Sequence, residues 1–269
     1  MTDDCGPRAR CVWLRHIGRG FNCASGAGKP ERCVRCWELI RSSIGRHEAA
    51  HNNGETESFN TRQLLQTRGQ MNHLAHVFLA GTQADAQLGG LLGDFCHGAP
   101  DPEWSQTVRS GIVLHRKIDV YTDSHPLIVA ARSLFHAPLR RYAGILLDMY
   151  FDHALARNWP RFSAEPLAAR SARTLDLLAA NAAWLPPDLN RFAQYMRSRG
   201  LFTHYAQRTT IEDALGGISR RLRHANPLAD AGPALWQREV QLNDVFEEFF
   251  PELRAFAVQQ RVSLGLETA

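Results

Sequence analysis

The chain has 269 residues, of which 44% are hydrophobic and 22% are charged, a composition typical of a globular protein with one large domain or two small ones. Residues 1–70 carry 11 basic and 7 acidic side chains and residues 71–269 carry 20 of each, so the net charge of +4 belongs to the first segment and the neutral remainder gives no sign of nucleic-acid binding. No apolar stretch is long enough for a transmembrane helix, and the first residues lack the basic-then-apolar order of a secretory signal, which favours a cytoplasmic protein without a membrane partner.

The first 70 residues differ from the rest of the chain. They show no sustained helical or alternating period, and two of their runs have the composition of flexible linkers. They also contain five of the six cysteines, including a Cys33-Val-Arg-Cys36 pair that could form part of a zinc site, although no second pair supports one. We therefore predict a disordered N-terminal extension over residues 1–70 and a folded domain over residues 71–269.

From residue 71 almost to the end, apolar residues recur at helical spacing, and strand-like alternation is scarce. This pattern predicts an all-α fold, a helical bundle whose helices bring polar groups to one interior site. The predicted helices cover residues 72–80, 83–95, 103–121, 126–135, 141–157, 167–183, 189–199, 210–224 and 234–262.

Residues 141–157, RYAGILLDMYFDHALAR, are strongly apolar yet contain Asp148, Asp152 and His153. On a helix, Asp148 and Asp152 lie on one face, and His153 lies roughly 100° further round. Burying an ionised carboxylate is costly unless it is paired, hydrogen-bonded or bound to a metal. The pattern therefore predicts metal ligands here. The alternatives are a narrow solvated stripe, a hydrogen-bonded core histidine and, for Asp152, a structural anchor.

Four further candidates precede that segment. His76 lies in the apolar run NHLAHVFLA, and Asp94 lies in the apolar run LLGDF. His115 and Asp119 are four residues apart on the third predicted helix, so their side chains share a face. For His76, a core histidine with a backbone partner is the alternative, and for Asp94 it is a hydrogen-bond anchor at the end of a helix.

The second predicted helix contains three glycines within the run LGGLLG at residues 88–93. Each glycine costs about 1 kcal/mol relative to alanine in a helix interior. Such a cost predicts that this helix packs closely against a neighbour.

The run Asp123-Ser124-His125-Pro126 has the residue types of a helix start. Asp and Ser are favoured at the capping position, and proline is favoured in the first turn. We therefore predict that Asp123 or Ser124 caps a helix with Pro126 in its first turn. The alternative is that the third predicted helix extends by one more turn, so that Asp123 shares the face of His115 and Asp119.

The candidates combine several carboxylates with imidazoles and no thiolate. Hard divalent cations such as Mn²⁺ and Mg²⁺ favour such a set, whereas structural zinc does not. A cation here could activate water and neutralise phosphate charge, which fits phosphoester hydrolysis. The set consists of His76, Asp94, His115, Asp119, Asp148, Asp152 and His153.

Four motifs in this order carry a resemblance to a known family: MNHLAHVFLA, LLGDF, HRKIDVYTD and LDMYFDHAL. They resemble the acyl carrier protein phosphodiesterase (ACP hydrolyase) family, a divergent relative of the HD-type metal phosphohydrolases, from residue 71 to about residue 257. The resemblance implies an HD-domain-like helical bundle, a divalent metal that is typically Mn²⁺, and a role with acyl carrier protein in the cytoplasm. The implied reaction is hydrolysis of the phosphodiester that joins 4'-phosphopantetheine to the carrier serine.

The resemblance to this family implies a role for each candidate residue. The expected metal ligands are His76, Asp94, His115, Asp148, Asp152 and His153. The expected catalytic residues are Asp94, His115, Asp119 and Arg116, with Arg116 steadying the phosphate oxygens and a histidine or aspartate protonating the leaving serine oxygen. Because carrier proteins are acidic and the body of this chain is neutral, a local basic patch at Arg140 and Arg141 is expected to bind the carrier.

Two other functions remain open from the sequence. The first is an HD-like phosphohydrolase that acts on a nucleotide or another small phosphoester, because the residues indicate phosphorus chemistry more clearly than they indicate the substrate. The second is a helical binding module without catalysis. The full set of acids and histidines argues against this second function.

Overall fold

The computed structural model describes residues 73–267, except for the side chain of Leu201, and within this range it contains eleven α-helices, three short 3-10 helices and no β-strand. This confirms the predicted all-α class. The predicted disordered extension and the cysteine pair lie outside the described residues. The α-helices are α1 His73–Leu79, α2 Ala84–Leu92, α3 Gln106–Ser124, α4 Pro126–Arg132, α5 Ala143–Arg157, α6 Leu167–Asn181, α7 Pro187–Arg199, α8 Leu201–His204, α9 Arg208–Arg221, α10 Gly232–Trp236 and α11 Glu239–Ser263.

Helix α5 lies at the centre of the fold. Twelve of its fifteen residues are buried, and it contacts α1, α4, α8, α9 and α11.

The buried carboxylate of Asp152 on α5 requires hydrogen-bond donors, and the backbone of α1 provides them. Its two carboxylate oxygens accept hydrogen bonds from the amides of Leu74 (3.1 Å) and Ala75 (2.9 Å), in the first turn of α1. These bonds satisfy donors that a helix start leaves unpaired and fix α1 to α5.

Helices α2 and α3 pack so closely that their backbones touch. A Cβ atom added at Gly89 would lie 2.2 Å from the carbonyl oxygen of Val108, and one added at Gly111 would lie 2.5 Å from the carbonyl oxygen of Ala86. The close packing predicted from the glycine-rich run is therefore confirmed. Gly93 packs against a side chain instead, because a Cβ atom there would lie 2.2–2.6 Å from the imidazole ring of His115.

The predicted capping of α4 by Asp123 or Ser124 is wrong. Helix α3 continues through Ser124, and His125 is the capping residue, with its Nδ1 accepting a hydrogen bond from the amide of Leu127 (3.4 Å). The proline explains the difference, because Pro126 disfavours helical geometry at the residue before it and so places the cap at His125. Asp123 instead forms an ion pair with Arg132.

The other boundaries follow the sequence pattern with small shifts. Residues 140–142 form a 3-10 turn before α5, and the long segment predicted over residues 234–262 is divided into α10 and α11. Over residues 73–267, none of the helices is both long enough and apolar enough to cross a bilayer.

Candidate metal centre

Three of the candidate residues converge between α1 and α3: His76 and His115, which were predicted as ligands, and Asp119, which was predicted as catalytic. The atoms that His76, His115 and Asp119 can offer to a metal all lie within 4.8 Å of one another. The Nε2 atom of His76 lies 3.1 Å from one carboxylate oxygen of Asp119, and the Nε2 atom of His115 lies 3.2 Å from the other. Both histidines are buried, whereas the Asp119 side chain is 38% exposed, so the cluster opens to solvent at Asp119.

Asp94 extends this cluster and joins a further histidine to it. One of its oxygens lies 3.5 Å from Nε2 of His115, and the other lies 3.2 Å from Nδ1 of His73. His73 is buried in the first turn of α1 and was not among the candidates from the sequence. Its position three residues before His76 was the available signal, because residues three apart on a helix are neighbours.

The orientation of His115 leaves one nitrogen available for a ligand. Its Nδ1 atom lies 2.8 Å from the carbonyl oxygen of Gly90, which can only accept, so Nδ1 carries the proton and donates. In the neutral ring, Nε2 then has a lone pair directed towards Asp94 and Asp119. A metal-ligating histidine is commonly held this way by a backbone carbonyl.

The acids of the cluster are ionised, and they hold a proton on His115 that a bound cation would have to replace. Burial alone would raise the pKa values of Asp94 and Asp119, but their contacts with His115 hold both well below the ordinary value. For His115, the two carboxylates outweigh burial and raise its pKa to about 10, whereas burial and the neighbouring His115 lower the pKa of His76. His76 is therefore a neutral imidazole beside ionised acids.

The donor atoms fit a divalent cation. Both ring nitrogens of His76 are buried without a hydrogen-bond partner of normal geometry, although Nε2 lies close to Asp119. Such an unpartnered buried nitrogen is unfavourable unless something else bonds to it. Two imidazole nitrogens and carboxylate oxygens form a set that Mn²⁺ accepts.

The remaining ligands expected on α5 have other contacts. Asp152 bonds the backbone of α1, and burial raises its pKa to about 8 although the two amide donors oppose this shift. His153 has its Nδ1 atom 2.8 Å from the carbonyl oxygen of Tyr205, and it lines a second, smaller cavity beside Arg157 and Glu239. For Asp148, burial and the charges of Asp119 and other acids raise the pKa, which shows that it lies in the electrostatic field of the cluster.

The three arginines with expected roles lie in two places. Arg116 donates a hydrogen bond to the carbonyl oxygen of Cys96 (2.7 Å) and thereby holds the loop that follows Asp94. Arg140 and Arg141 are exposed in the 3-10 turn that precedes α5. The structure thus brings together His76, Asp94, His115 and Asp119, adds His73, and leaves Asp152 and His153 with partners elsewhere.

Fold and site together define an all-helical protein with a buried histidine and carboxylate centre. Comparison with known proteins identifies its family: the model of the acyl carrier protein phosphodiesterase family matches residues 71–253, and the chain belongs to that family. The resemblance seen in the four motifs is confirmed.

The matches with curated relatives extend over nearly the whole length of each relative. The acyl carrier protein phosphodiesterase of Photorhabdus laumondii is 33% identical over 185 residues, which is 67% of this chain and 92% of the relative. The protein of the same name from Yersinia pestis is 32% identical over 71% of this chain and 100% of the relative. The one from Escherichia coli O157:H7 is 32% identical over 70% of this chain and 97% of the relative. No solved structure gives a significant match.

Proposed function

We propose that this protein is a phosphodiesterase that hydrolyses the bond between 4'-phosphopantetheine and the serine of holo acyl carrier protein, releasing apo carrier protein in the cytoplasm. The family match over residues 71–253 supports the substrate, and the curated relatives bear the name of this activity. The single observation that supports the chemistry is the convergence of His76, His115 and Asp119 within 4.8 Å.

We further propose that these three residues hold a divalent cation, with Mn²⁺ preferred and Mg²⁺ as the other candidate. When bound, such a cation supplies positive charge to the phosphate oxygens and lowers the pKa of water. The carbonyl of Gly90 keeps His115 in the tautomer that presents Nε2. Asp94, 3.5 Å from that nitrogen, completes the negative environment of the site.

Two other residues hold the cluster and the neighbouring loop in position. Because Nδ1 of His73 lies 3.2 Å from Asp94, His73 positions that carboxylate beside His115. Arg116 is held by the carbonyl of Cys96, so its role in our proposal is to keep the loop that carries Asp94 in place as well as to add positive charge. The HD-type relationship and a ligand role for Asp148 on α5 are part of the same proposal.

The test is to incubate the protein with holo carrier protein and Mn²⁺ and to measure the intact mass of the carrier. We expect loss of the phosphopantetheine group, and we expect the His115→Gln variant to leave the carrier unchanged. A carrier that keeps its prosthetic group, together with cleavage of a nucleotide or another small phosphoester by the same sample, would support the alternative substrate class.

A further inference from the structure

A cleft of about 800 Å³ lies between α7 and α9, and its wall includes His73 at the start of α1. His73 lines this cleft and also contacts Asp94, so a single side chain belongs to both the cleft and the cluster. The cluster therefore has two sides. It meets solvent at Asp119, which is 38% exposed, and it meets the cleft at His73.

The end of the cleft at His73 is aromatic. The ring of Phe192, from α7, lies 4.3 Å from the His73 ring between centroids, and the ring of Phe95 lies 6.1 Å from it. Tyr195, one turn further along α7, also lines the cleft and is 37% exposed. The rest of the wall is largely charged, with four arginines and three acids: Arg191, Arg199, Arg220, Arg221, Asp188, Glu212 and Asp213.

We propose that this cleft binds the pantetheine arm of the substrate, with the carrier protein outside at the Asp119 side; the inference rests on the proposed function. The arm is a slender chain of two amides, a dimethyl-substituted carbon and a terminal thiol. It requires an apolar surface for its methyl and methylene groups and polar groups for its amides, and the aromatic end and the charged remainder of the cleft offer both. Its volume also falls within the range of roughly 300–1,000 Å³ that is usual for small-molecule sites.

The two sides of the cluster suit a substrate with two unequal halves. The scissile phosphodiester joins a folded protein to a narrow arm, so an enzyme needs one open side for the protein and one narrow channel for the arm. Asp119 lies at the open side, and the buried ring of His73 lies between Asp94 and the cleft. A phosphodiester at the cluster would thus have its arm directed past His73 towards Phe192.

Gly217 on α9 allows a direct test, because it lines the cleft and can be enlarged without a clash. A Cβ atom there would meet only the far end of the Arg220 side chain, at 3.9 Å. Leucine is also a better helix former than glycine, so Gly217→Leu is expected to fold at least as well as the wild type. Gly144→Leu on α5 is the matched control, since its Cβ atom would meet only Arg132, also at 3.9 Å, and Gly144 is not among the residues that line the cleft.

The probes are 4'-phosphopantetheine and inorganic phosphate, titrated by calorimetry in Mn²⁺ against wild type and both variants. We expect Gly217→Leu to weaken the affinity for 4'-phosphopantetheine at least tenfold and to leave the affinity for inorganic phosphate unchanged, because only 4'-phosphopantetheine has the arm. We expect KM for holo carrier protein to rise by a similar factor, with bis(p-nitrophenyl) phosphate hydrolysis unaffected. Gly144→Leu should match the wild type in each measurement.

Unchanged 4'-phosphopantetheine affinity in Gly217→Leu would overturn the inference, and so would a wild type that binds this probe no better than phosphate. Thermal melts identify a variant that has misfolded, and in that case Gly217→Ala replaces it with the same expected direction. Failure of the proposed function gives a different result, since the wild type would then leave holo carrier protein intact whatever the titrations show.

Discussion

The imidazole rings of His76 and His115 stack with their centroids 3.7 Å apart, although His76 belongs to α1 and His115 to α3. Both rings are buried, and each directs its Nε2 atom to a different oxygen of Asp119. Two positively charged rings would repel each other strongly at this separation, which is why His115 lowers the pKa of His76. A cation shared by both rings satisfies them without protonating both.

Removing either ring should abolish metal binding. We expect His76→Gln and His115→Gln to lose the thermal stabilisation that Mn²⁺ gives the wild type, and to lose activity by at least about 100-fold, because a catalytic metal supplies several kcal/mol of transition-state stabilisation. The measurement is a pair of melting curves, with EDTA and with Mn²⁺. His136→Gln, at an exposed histidine outside the cluster, is the control. Full Mn²⁺ stabilisation in both cluster variants would exclude the proposed ligands.

Gly93→Ala should impair the site without altering any ligand. The added methyl group would lie 2.2–2.6 Å from the ring of His115, so the ring must move from its hydrogen bond with Gly90. We expect at least a tenfold loss of kcat and weaker Mn²⁺ binding, since displacing the groups that orient a ligand typically costs 10–100-fold. Gly144→Ala serves as the control, because its added Cβ atom would meet only the Arg132 side chain, at 3.9 Å. Wild-type kinetics in Gly93→Ala would mean that the ring position is not critical.

The sequence predicted the helices and most of the cluster because both have local signatures. His115 and Asp119 share a helix face by spacing alone, and the structure keeps them together. Asp94 and His76 could be proposed only as buried polar residues, since their distances to His115 depend on how α1, α2 and α3 pack. His73 was missed because it is the first residue of its helix, where the apolar pattern that drew attention to His76 had barely begun.

Asp152 shows the limit of pattern alone. The sequence gives an acid in an apolar helix and therefore a need for partners, but it does not distinguish a cation from backbone amides. The amides in question belong to residues 74 and 75, nearly eighty positions earlier in the chain. Only the packing of α1 on α5 reveals them.

A ligand role for Asp152 predicts that Asp152→Asn loses metal without losing stability. Its hydrogen bonds predict the opposite result. Asn presents an NH2 group to one of two backbone donors, so we expect a loss of about 1–3 kcal/mol of stability with Mn²⁺ stabilisation retained. Asp148→Asn is the contrast, because burial and nearby acids already disfavour its charge, and stability should hold or rise. Melting curves of both variants in EDTA and in Mn²⁺ distinguish the two roles of Asp152. An Asp152→Asn protein that is as stable as the wild type but is not stabilised by Mn²⁺ would show that Asp152 is a metal ligand.

Carrier-protein docking should depend on Arg140 and Arg141. They precede α5, whose Asp148 lies in the field of Asp119, and they are exposed where an acidic partner can reach them. We expect charge reversal at both positions to raise KM for holo carrier protein about tenfold and to weaken its dependence on salt, because steering by opposite charges is screened by ions. The comparison is charge reversal at Arg197 and Arg223, which are exposed and are not among the residues that line the cleft. If KM and its salt dependence are unchanged at Arg140 and Arg141, the carrier docks elsewhere.

A chain that begins at Met71 should fold and retain activity. The cluster and the hydrophobic core described above lie within residues 73–267, and the family match begins at residue 71. We expect the shortened chain to have the melting temperature, Mn²⁺ response and kcat/KM of the full chain. Insolubility or loss of the Mn²⁺ response after truncation would show that residues 1–70 contribute to the domain.

The contact between Gly89 and Gly111 has a consequence for how this site tolerates change. Where two helices meet through side chains, a new core residue shifts one helix against the other. Here backbone meets backbone, so the spacing of α2 and α3 is set by atoms that every residue has in common. Any side chain at Gly89 or Gly111 would therefore push the two helices apart, and with them Asp94, which follows α2, and His115 on α3.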